Sequence, residues 1–278
     1  MVKTEKFWTF VFLGFVLLLH PVTVFGQVNS GNSNYEPQSG QSGKDVVWVP
    51  TPHQLVDVMI RMANLTSNDY LVDLGSGDGR IVIAAAKKGI KAAGVEFNPD
   101  LIEFSKKNAK SEGVADKTEF VQADFFEYDM SKATVITMFL LTDINRRLKP
   151  TLLELKPGTR IITNTFSIDD WNYDEKEELN DNSISWKTAY MWIVPAKVEG
   201  TWKFEGGEMT LAQTYQKVTG IMKIGNISYP ITDGRLRGDV LSFTCNSEFK
   251  ITCTVNNRNM KGTSEREGKS RPWEATKQ

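Results

Sequence analysis

The chain has 278 residues, of which 40% are apolar and 24% are charged. This is enough to build one substantial hydrophobic core, or one core and a smaller second one. Its 33 lysines and arginines nearly balance its 34 aspartates and glutamates, so no net charge draws it toward nucleic acid or an anionic membrane surface. Nucleic acid is therefore not among the predicted partners.

Residues 1–26 have the order of a secretory signal. Two lysines precede an apolar run over residues 7–19, and a small residue follows at a possible cleavage point. An uncleaved membrane anchor is the alternative, although a His-Pro pair interrupts the apolar run. In both cases the lysines come first, so the positive-inside rule predicts an exported protein, periplasmic or secreted, or one anchored to the membrane by this segment.

The next segment, residues 27–46, is rich in Gly, Ser, Asn and Gln and nearly free of apolar side chains. It cannot bury enough surface to fold, and we assign it to a flexible linker. An ordered domain is predicted over residues 47–195. Thr51 is placed to cap a helix that starts with Pro52. Four apolar residues then recur on one helical face: Leu55, Val58, Met59 and Met62.

Short apolar runs and longer amphipathic segments alternate through this domain. The runs predict strands at residues 70–74, 92–96, 118–122, 134–140 and 160–164. The amphipathic segments predict helices at residues 81–88, 99–110 and 144–155. Strands that are apolar throughout and alternate with helices indicate a doubly wound, Rossmann-like α/β fold with a mostly parallel sheet. A longer, aromatic run at residues 185–194 predicts an antiparallel edge strand.

Residues 196–278 have a different pattern, in which glycines recur and β-branched or aromatic residues alternate between them. This predicts a C-terminal all-β meander or barrel of about six to eight strands. Its two cysteines, Cys245 and Cys253, are close in sequence. A disulfide across one hairpin is expected in an oxidising compartment, and two separate core thiols are the alternative. The sequence does not decide between them.

A glycine-rich loop, residues 75–79, follows the first predicted strand and precedes a helix. Glycines at alternate positions allow a tight turn and a close backbone approach to a ligand. Ligands of such sheets bind at the carboxyl ends of the strands. The dinucleotide fingerprint G-x-G-x-x-G is not matched, because Arg80 stands where its third glycine belongs. The loop therefore predicts a ligand other than a nicotinamide or flavin cofactor.

Acidic residues end the next two predicted strands. Glu96 lies about twenty residues beyond the loop, as expected for a carboxylate that binds both ribose hydroxyls. Asp124 closes the third strand and is followed by Phe125. Because the carboxyl ends of consecutive parallel strands share one edge, we expect all three loops to converge on a single ligand.

The spacing G-x-G-x-G after an acidic residue resembles the first motif of class I methyltransferases that use S-adenosylmethionine (SAM). The resemblance implies that SAM is the cofactor and that Asp73 orients its amino group. It implies that Asp124 binds the adenine amino group and that Phe125 forms an apolar wall for the ring. The methionine end of SAM would lie on four residues of the loop: Gly75, Ser76, Gly77 and Gly79.

Over residues 48–171 the chain resembles a family of small lysine methyltransferases. The family includes mitochondrial enzymes that modify the ATP synthase and the adenine nucleotide translocase, together with many bacterial relatives. The resemblance rests on Val-Pro-Thr-Pro at 49–52, Asp-Leu-Gly-Ser-Gly-Asp-Gly-Arg at 73–80, Leu-Lys-Pro at 148–150 and Leu-Lys-Pro-Gly-Thr-Arg at 155–160. It implies N-methylation of a protein lysine or another small amine. The β-rich tail and the predicted export depart from the family pattern.

An amine attacks the methyl group only when it is neutral, and the site must exclude water. Four polar residues near the predicted crevice are candidates for a group that accepts from the amine: Thr142, Asp143, Asn164 and Thr165. No metal site is predicted, and the oligomeric state is not indicated. The alternative function is a non-catalytic exported binding module that keeps a nucleoside crevice while the β-rich tail docks a partner.

Overall fold

The computed structural model describes residues 35–246 and 249–278. The predicted signal or anchor segment, and the linker before residue 35, lie outside the described residues. The described chain forms an α/β domain followed by a β-barrel. None of its helices is both long and apolar enough to cross a bilayer.

The α/β domain contains every helix and strand that the sequence predicts for it, with ends shifted by a few residues. Its helices are α1 (His53–Ala63), α2 (Arg80–Lys87), α3 (Pro99–Ser111) and α4 (Thr142–Leu153). Its strands are β1 (Tyr70–Leu74), β2 (Lys91–Glu96), β3 (Thr118–Gln122), β4 (Val135–Met138), β5 (Arg160–Asn164), β6 (Glu175–Glu178) and β7 (Thr188–Ile193).

These strands form one sheet in the order β3-β2-β1-β4-β5-β7-β6. β1 pairs in parallel with β2 and β4, whereas β7 runs antiparallel between β5 and β6. Helices α1, α2 and α3 pack on one face of the sheet and α4 packs on the other. The predicted doubly wound fold is confirmed. Because the strand order reverses at β1, the carboxyl ends of β1, β2 and β4 border a crevice.

Strand β6 is not predicted by the sequence. Its four residues, Glu-Lys-Glu-Glu, include no apolar side chain and are half-buried or exposed. The strand forms at the sheet edge by pairing with β7. Two arginines supply charge partners, since Arg61 pairs with Glu177 and Arg237 pairs with Glu175. Pairing with the next strand, together with ion pairs to arginines that are distant in sequence, creates this element, and the local residue pattern does not mark it.

The prediction that Thr51 caps the first helix is wrong. Helix α1 begins at His53, with Pro52 at the N-cap position and no side-chain cap. The Thr51 hydroxyl instead accepts a hydrogen bond from Asn164 Nδ2 at 3.3 Å. Thr51 therefore links the start of α1 to the end of β5, next to the crevice.

The C-terminal region is a closed, antiparallel barrel of eight strands, which confirms the predicted β-rich domain. The strands are β8 (Gly200–Phe204), β9 (Gly207–Thr214), β10 (Lys217–Ile224), β11 (Ile227–Arg237), β12 (Val240–Cys245), β13 (Phe249–Asn256), β14 (Asn259–Arg266) and β15 (Lys269–Lys277). Each strand pairs with the next along the chain, and β15 closes the barrel against β8. Closure leaves no free sheet edge.

Side chains fill the barrel interior. Buried and exposed residues alternate along the strands, so that Ile251 and Val255 of β13 face inward while their neighbours face solvent. Trp202 is fully buried, and its Nε1 donates a hydrogen bond to the carbonyl of Val198 at 2.8 Å. The interior is therefore a packed apolar core.

Both cysteines of the barrel are buried free thiols. Cys245 lies opposite Phe249 and Cys253 lies opposite Leu241, so the two cysteines are not cross-strand partners. Burial raises the pKa of the Cys253 thiol to about 12. Of the two alternatives left open by the sequence, the structure has the separate core thiols.

The turn between β9 and β10 attaches the barrel to the α/β domain. Gln216 accepts a hydrogen bond from Trp171 Nε1 at 3.1 Å and donates to the carbonyl of Asn172 at 2.7 Å. Arg235 pairs with Asp174 at 2.6 Å, and the Asp174 side chain is only 1% exposed. These polar contacts, of which the bond from Trp171 to Gln216 is buried, join the barrel to the chain just before β6.

Candidate active site

One crevice lies at the carboxyl ends of β1, β2, β3 and β4. It is lined by residues from all three loops that the sequence singles out: Asp73, Gly75, Ser76, Glu96, Asp124 and Phe125. The structure thus brings together the residues that were expected to converge. Gly77 and Gly79 lie behind this lining and shape the loop.

The loop after β1 requires glycine at these two positions. Gly77 has φ 54° and Gly79 has φ 80°, in the left-handed region that other residues rarely adopt. A Cβ on Gly77 would lie 2.2 Å from Trp48 Nε1, and one on Gly79 would lie 2.8 Å from the Phe120 ring. Close packing on both sides therefore fixes the path of the loop.

Glu96 connects the ends of β1 and β2. Its Oε2 accepts the main-chain N–H of Gly77 at 3.0 Å, and its Oε1 accepts the N–H of Asn98 at 2.9 Å. These hydrogen bonds stabilise a half-buried carboxylate. Each oxygen keeps a further lone pair, so the group still has capacity to accept hydrogen bonds from a ligand.

Asp73 is a buried carboxyl group at the base of the crevice. It is 3% exposed, and Thr137 Oγ1 donates a hydrogen bond to its Oδ1 at 2.7 Å. Burial raises the pKa of Asp73 to about 7, and the negative charges of Asp78 and Glu96 add to the rise while the Thr137 bond opposes it. A cation in the crevice would favour the ionised form of Asp73.

Asp124 stands at the opposite end of the crevice and pairs with a lysine. Its Oδ1 accepts the N–H of Phe126 at 2.9 Å, and its Oδ2 accepts from Lys44 Nζ at 2.7 Å. The hydrogen bond from Lys44 lowers the pKa of the Asp124 carboxyl. The same Nζ lies 5.5 Å from the centre of the Phe97 ring, which lines the crevice and is 48% exposed.

Lys44 belongs to the segment that the sequence assigns to a flexible linker. In the structure, residues 42–51 line the crevice. The segment is held by main-chain hydrogen bonds from Gly40 to Trp48 at 2.8 Å and from Trp48 to Gln41 at 2.9 Å. Composition alone does not reveal this, because the partner of Lys44 lies eighty positions along the chain.

Arg80, the first residue of α2, has a role that the sequence does not indicate, whereas Ser76 of the loop is a predicted cofactor-binding residue. Arg80 Nε donates to Asp78 at 2.9 Å and its Nη1 donates to the carbonyl of Thr51 at 2.6 Å. Arg80 therefore joins the loop to the segment before α1. The Ser76 hydroxyl is buried and has no hydrogen-bond partner in the described chain. A ligand in the crevice is the natural partner for that group.

The four polar residues predicted to act on the methyl-accepting amine, called here the candidate acceptor-side residues, are Thr142, Asp143, Asn164 and Thr165. They lie beside the crevice, and none of them lines it. Thr142 begins α4 and is half-buried. Asp143 has a side chain that is 79% exposed and pairs with Arg146 at 2.7 Å. Asn164 is fully buried; besides its bond to Thr51, it accepts from Thr165 Oγ1 at 2.9 Å. Within residues 35–246 and 249–278, no His, Cys, Asp or Glu cluster could bind a metal ion.

The chain matches known methyltransferases over its α/β domain. A family model described as the ANTKMT methyltransferase domain matches residues 73–175. A protein-lysine N-methyltransferase of Saccharolobus islandicus is 43% identical over 152 residues, which cover 54% of this chain and 94% of that protein. A mouse lysine N-methyltransferase named for its ATP synthase target is 36% identical over 128 residues, which cover 46% of this chain and 51% of that relative.

A solved structure agrees with these matches. It is titled an RNA methyltransferase from Salinibacter ruber in complex with S-adenosyl-L-homocysteine (SAH). It is 45% identical to this chain, with a TM-score of 0.51, and the match covers 54% of this chain and 96% of that one. The cofactor is therefore SAM, of which SAH is the demethylated product.

These relationships give no support to the alternative of a non-catalytic binding module. The match to the archaeal relative covers nearly all of that protein at 43% identity. The chain is a SAM-dependent methyltransferase of the family that contains the protein-lysine N-methyltransferases, and it carries an additional C-terminal β-barrel.

Proposed function

We propose that this chain transfers methyl groups from SAM to lysine side chains of a protein. The observation that carries the proposal is the convergence of the glycine loop, Glu96 and Asp124 on one crevice. The proposal is supported by the name of the archaeal relative, which is a protein-lysine N-methyltransferase. The residues at each end of the crevice are then complementary to one part of the cofactor.

The β1 end of the crevice fits the methionine part of SAM. Asp73 offers a buried carboxyl group to the ammonium of the cofactor, and Ser76 offers a buried hydroxyl that lacks a partner. Asp73 and the main-chain carbonyl of Gly75 would accept from the ammonium of the cofactor, and Ser76 would donate to its carboxylate, since the Gly75 N–H already donates to the Val95 carbonyl at 2.9 Å. When bound, SAM supplies a methyl group made electrophilic by its sulfonium.

The β2 and β3 ends of the crevice fit the nucleoside part. Glu96 would accept hydrogen bonds from both ribose hydroxyls with the lone pairs that Gly77 and Asn98 leave free. Asp124 would accept from the adenine amino group. Phe125 lines the crevice but is only 8% exposed, so Phe97 offers the larger apolar surface to the base.

The chain contributes alignment and exclusion of water to the reaction. The segment before α1 and the wall at Leu140 enclose the crevice from two sides. An amine that enters this enclosed space loses hydration, which lowers its pKa and favours the neutral, nucleophilic form. We assign no base to the four candidates, since Asp143 faces solvent and Asn164 is tied to Thr51.

The charge of the chain favours a protein acceptor over RNA, although a related structure is titled an RNA methyltransferase. The net charge is −1 and the isoelectric point is about 6.2. Binding to RNA depends on a basic surface that neutralises phosphates. A lysine side chain needs no such surface.

Labelling with methyl-labelled SAM tests the proposal. The full chain is incubated with an envelope protein fraction, with the same fraction after acetylation of its lysine amines, and with total RNA. We expect label in the untreated protein fraction, loss of label after acetylation, and methyllysine in digests analysed by mass spectrometry. Label in RNA alone, or label that survives acetylation, would contradict the proposal. The Glu96→Ala variant gives the background.

Lys44 should compete with the adenine amino group for Asp124. We expect Lys44→Met to bind SAH about two- to fivefold more tightly than the unchanged protein, because an exposed ion pair contributes little and must be rearranged. The difference should shrink at high salt, since ions screen exposed charges. Calorimetric titration measures the change, and Lys87→Met is the control, since Lys87 pairs with Glu112 away from the crevice. Weaker binding by Lys44→Met would refute the competition.

We further propose that residues 1–26 export the chain or anchor it to a membrane. The order of two lysines followed by an apolar run supports this. Cell fractionation and N-terminal sequencing of the mature protein are the tests. A protein that starts at Met1 and is found only in the cytoplasmic fraction would contradict it.

A further inference from the structure

Three aromatic side chains meet at the end of the crevice where the candidate acceptor-side residues lie. Phe139 follows β4 and lines the crevice, Phe166 follows β5, and Trp186 precedes β7. The ring centres of Phe139 and Phe166 are 6.0 Å apart, and each lies 5.7 Å from the Trp186 ring. We call these residues the aromatic triad. Its members come from three separate loops, so the fold itself assembles them.

Two members of the triad lie at strained main-chain positions. Thr165, a β-branched residue, has φ 60°, and the N–H of Phe166 donates to the carbonyl of Asn164 at 2.7 Å across this tight turn. Trp186 itself has φ 59°. Such conformations are rare for these residue types and persist where surrounding contacts enforce them, often at binding sites.

Partly buried hydrogen bonds stabilise the turn that carries Phe166. Thr163 Oγ1 donates to the Phe166 carbonyl at 2.7 Å. Asn145 Nδ2 donates to the carbonyls of Phe166 and Ser167, at 3.2 Å each. Asn145 is fully buried in α4, so its hydrogen bonds attach the turn to this helix. Support of the triad gives this buried asparagine a structural role.

The triad presents aromatic faces without a cation of its own. Trp186 is 41% exposed, and Phe139 and Phe166 are half-buried. The lysine and arginine groups that lie over rings within the described chain lie over other rings, such as Lys44 over Phe97 and Arg147 over Phe126. Ring faces carry partial negative charge and attract alkylammonium groups, most strongly at Trp. The triad therefore has the composition of an ammonium site, and no lysine or arginine of the described residues lies over its rings.

We propose that the aromatic triad binds the methyl acceptor by its aliphatic stem and its nitrogen, and that it prefers nitrogens that already carry methyl groups. The inference rests on the proposed lysine methylation. In each transfer the acceptor nitrogen gains a bond to the methyl carbon while the carbon–sulfur bond of the cofactor breaks. The positive charge passes to nitrogen, and the proton is released to water before another round. The rings face that charge.

The preference for methylated nitrogen follows from the chemistry of the rings. An unmodified ammonium forms strong hydrogen bonds to water that aromatic faces do not replace. Methyl groups remove these donors while the charge remains, so the cost of desolvation falls. The triad would therefore retain a mono- or dimethylated side chain long enough for further transfer.

A binding experiment that needs no catalysis tests the triad. The full chain is saturated with SAH and titrated with two peptides, one carrying trimethyllysine and one carrying its neutral tert-butyl isostere. We expect the cationic peptide to bind about tenfold more tightly. The matched variants are Trp186→Leu and Trp186→Phe. Leucine has no aromatic ring, and phenylalanine has a ring whose face attracts cations less strongly than that of tryptophan. Leucine should abolish the preference, and phenylalanine should retain part of it.

Equal binding of the two peptides, or binding of neither by a protein that binds SAH, overturns the proposal. Equal preference in wild type and Trp186→Leu overturns it as well. SAH affinity of each variant is measured first, so that a misfolded variant is recognised and replaced by Phe166→Leu. The two proposals are tested by different experiments. The methyl-transfer assay tests lysine methylation, and the peptide titration tests the triad without any methyl transfer.

Discussion

Replacing Glu96 with alanine is expected to weaken SAH binding by about 100-fold, because two hydrogen bonds from ribose hydroxyls to a charged acceptor are lost. The change also removes the acceptor for the N–H groups of Gly77 and Asn98. The glycine loop would then lose one of the contacts that orient it toward the ligand. Isothermal titration with SAH measures the effect, and circular dichroism verifies the fold.

Two further variants sharpen this test. Glu96→Gln keeps the shape and one carbonyl acceptor but loses the charge, and an intermediate loss of about tenfold is expected. Glu119→Ala removes an exposed carboxylate from the neighbouring strand β3, outside the crevice, and should bind SAH normally. Binding by Glu96→Ala equal to that of Glu119→Ala would exclude Glu96 from the cofactor site.

The parts of the fold that the sequence predicts are those with local signals. Parallel strands such as β1 and β5 are buried along nearly their whole length, and their ends match the predicted ends. The glycine loop is visible because three positive φ angles, at Gly75, Gly77 and Gly79, demand the same residue type at alternate positions. Convergence of the loops then follows from the geometry of a parallel sheet.

The parts that sequence reasoning misses depend on contacts between distant residues. Lys44 reaches Asp124 from a segment whose composition indicates only a linker. Trp48 packs on Gly77 from the first residues of the predicted domain, and neither Lys44 nor Trp48 belongs to a pattern. Phe97 looks like any aromatic residue after a strand, yet it is 48% exposed beside the crevice. Local spacing carries no information about such pairs.

The candidate acceptor-side residues show a second limit. Polar residues at the ends of β4 and β5 have the same appearance in sequence whether they contact a ligand or support the chain that does. Asn164 turns out to be fully buried and bonded to Thr51 and Thr165. The aromatic triad has two members in these loops and a third, Trp186, before β7, and its three segments share no common motif.

The sequence predicts a β-rich C-terminal domain and leaves open whether it is an open meander or a closed barrel. Alternating burial and frequent turns indicate an antiparallel meander. Closure depends on pairing of Ala275 with Phe204, whose positions are far apart in sequence. The contact of Gln216 with Trp171 similarly joins the barrel to the α/β domain through side chains that no pattern marks.

Asp73 is expected to make cofactor binding depend on pH. The pKa of its carboxyl is raised to about 7 by burial. Since the ammonium of the cofactor binds the ionised carboxylate, SAH affinity should fall by up to about tenfold per pH unit below this value and level off above it. In Asp73→Asn the dependence should disappear, and affinity at about pH 8 should drop by about 30- to 100-fold through loss of a charged hydrogen bond.

The stability of the same variant should change in the opposite direction. A carboxyl whose folded pKa is raised above its unfolded value of 3.8 is protonated more readily when folded, so its burial costs stability as pH rises from about 4 to about 7. Above that range the full cost is present. Asp73→Asn should therefore raise the free energy of unfolding of the SAH-free protein at about pH 8, with little change near pH 4.

Denaturant unfolding at the two pH values, set beside SAH titration, distinguishes two roles for Asp73. If the Asp73 carboxylate serves the structure, its substitution should lower the free energy of unfolding, because Thr137 would lose its charged acceptor. If the carboxylate serves the ligand, its substitution should raise the free energy of unfolding and weaken the affinity for SAH. A variant that is both less stable at about pH 8 and unchanged in SAH affinity would show that Asp73 serves the sheet and that another group binds the ammonium.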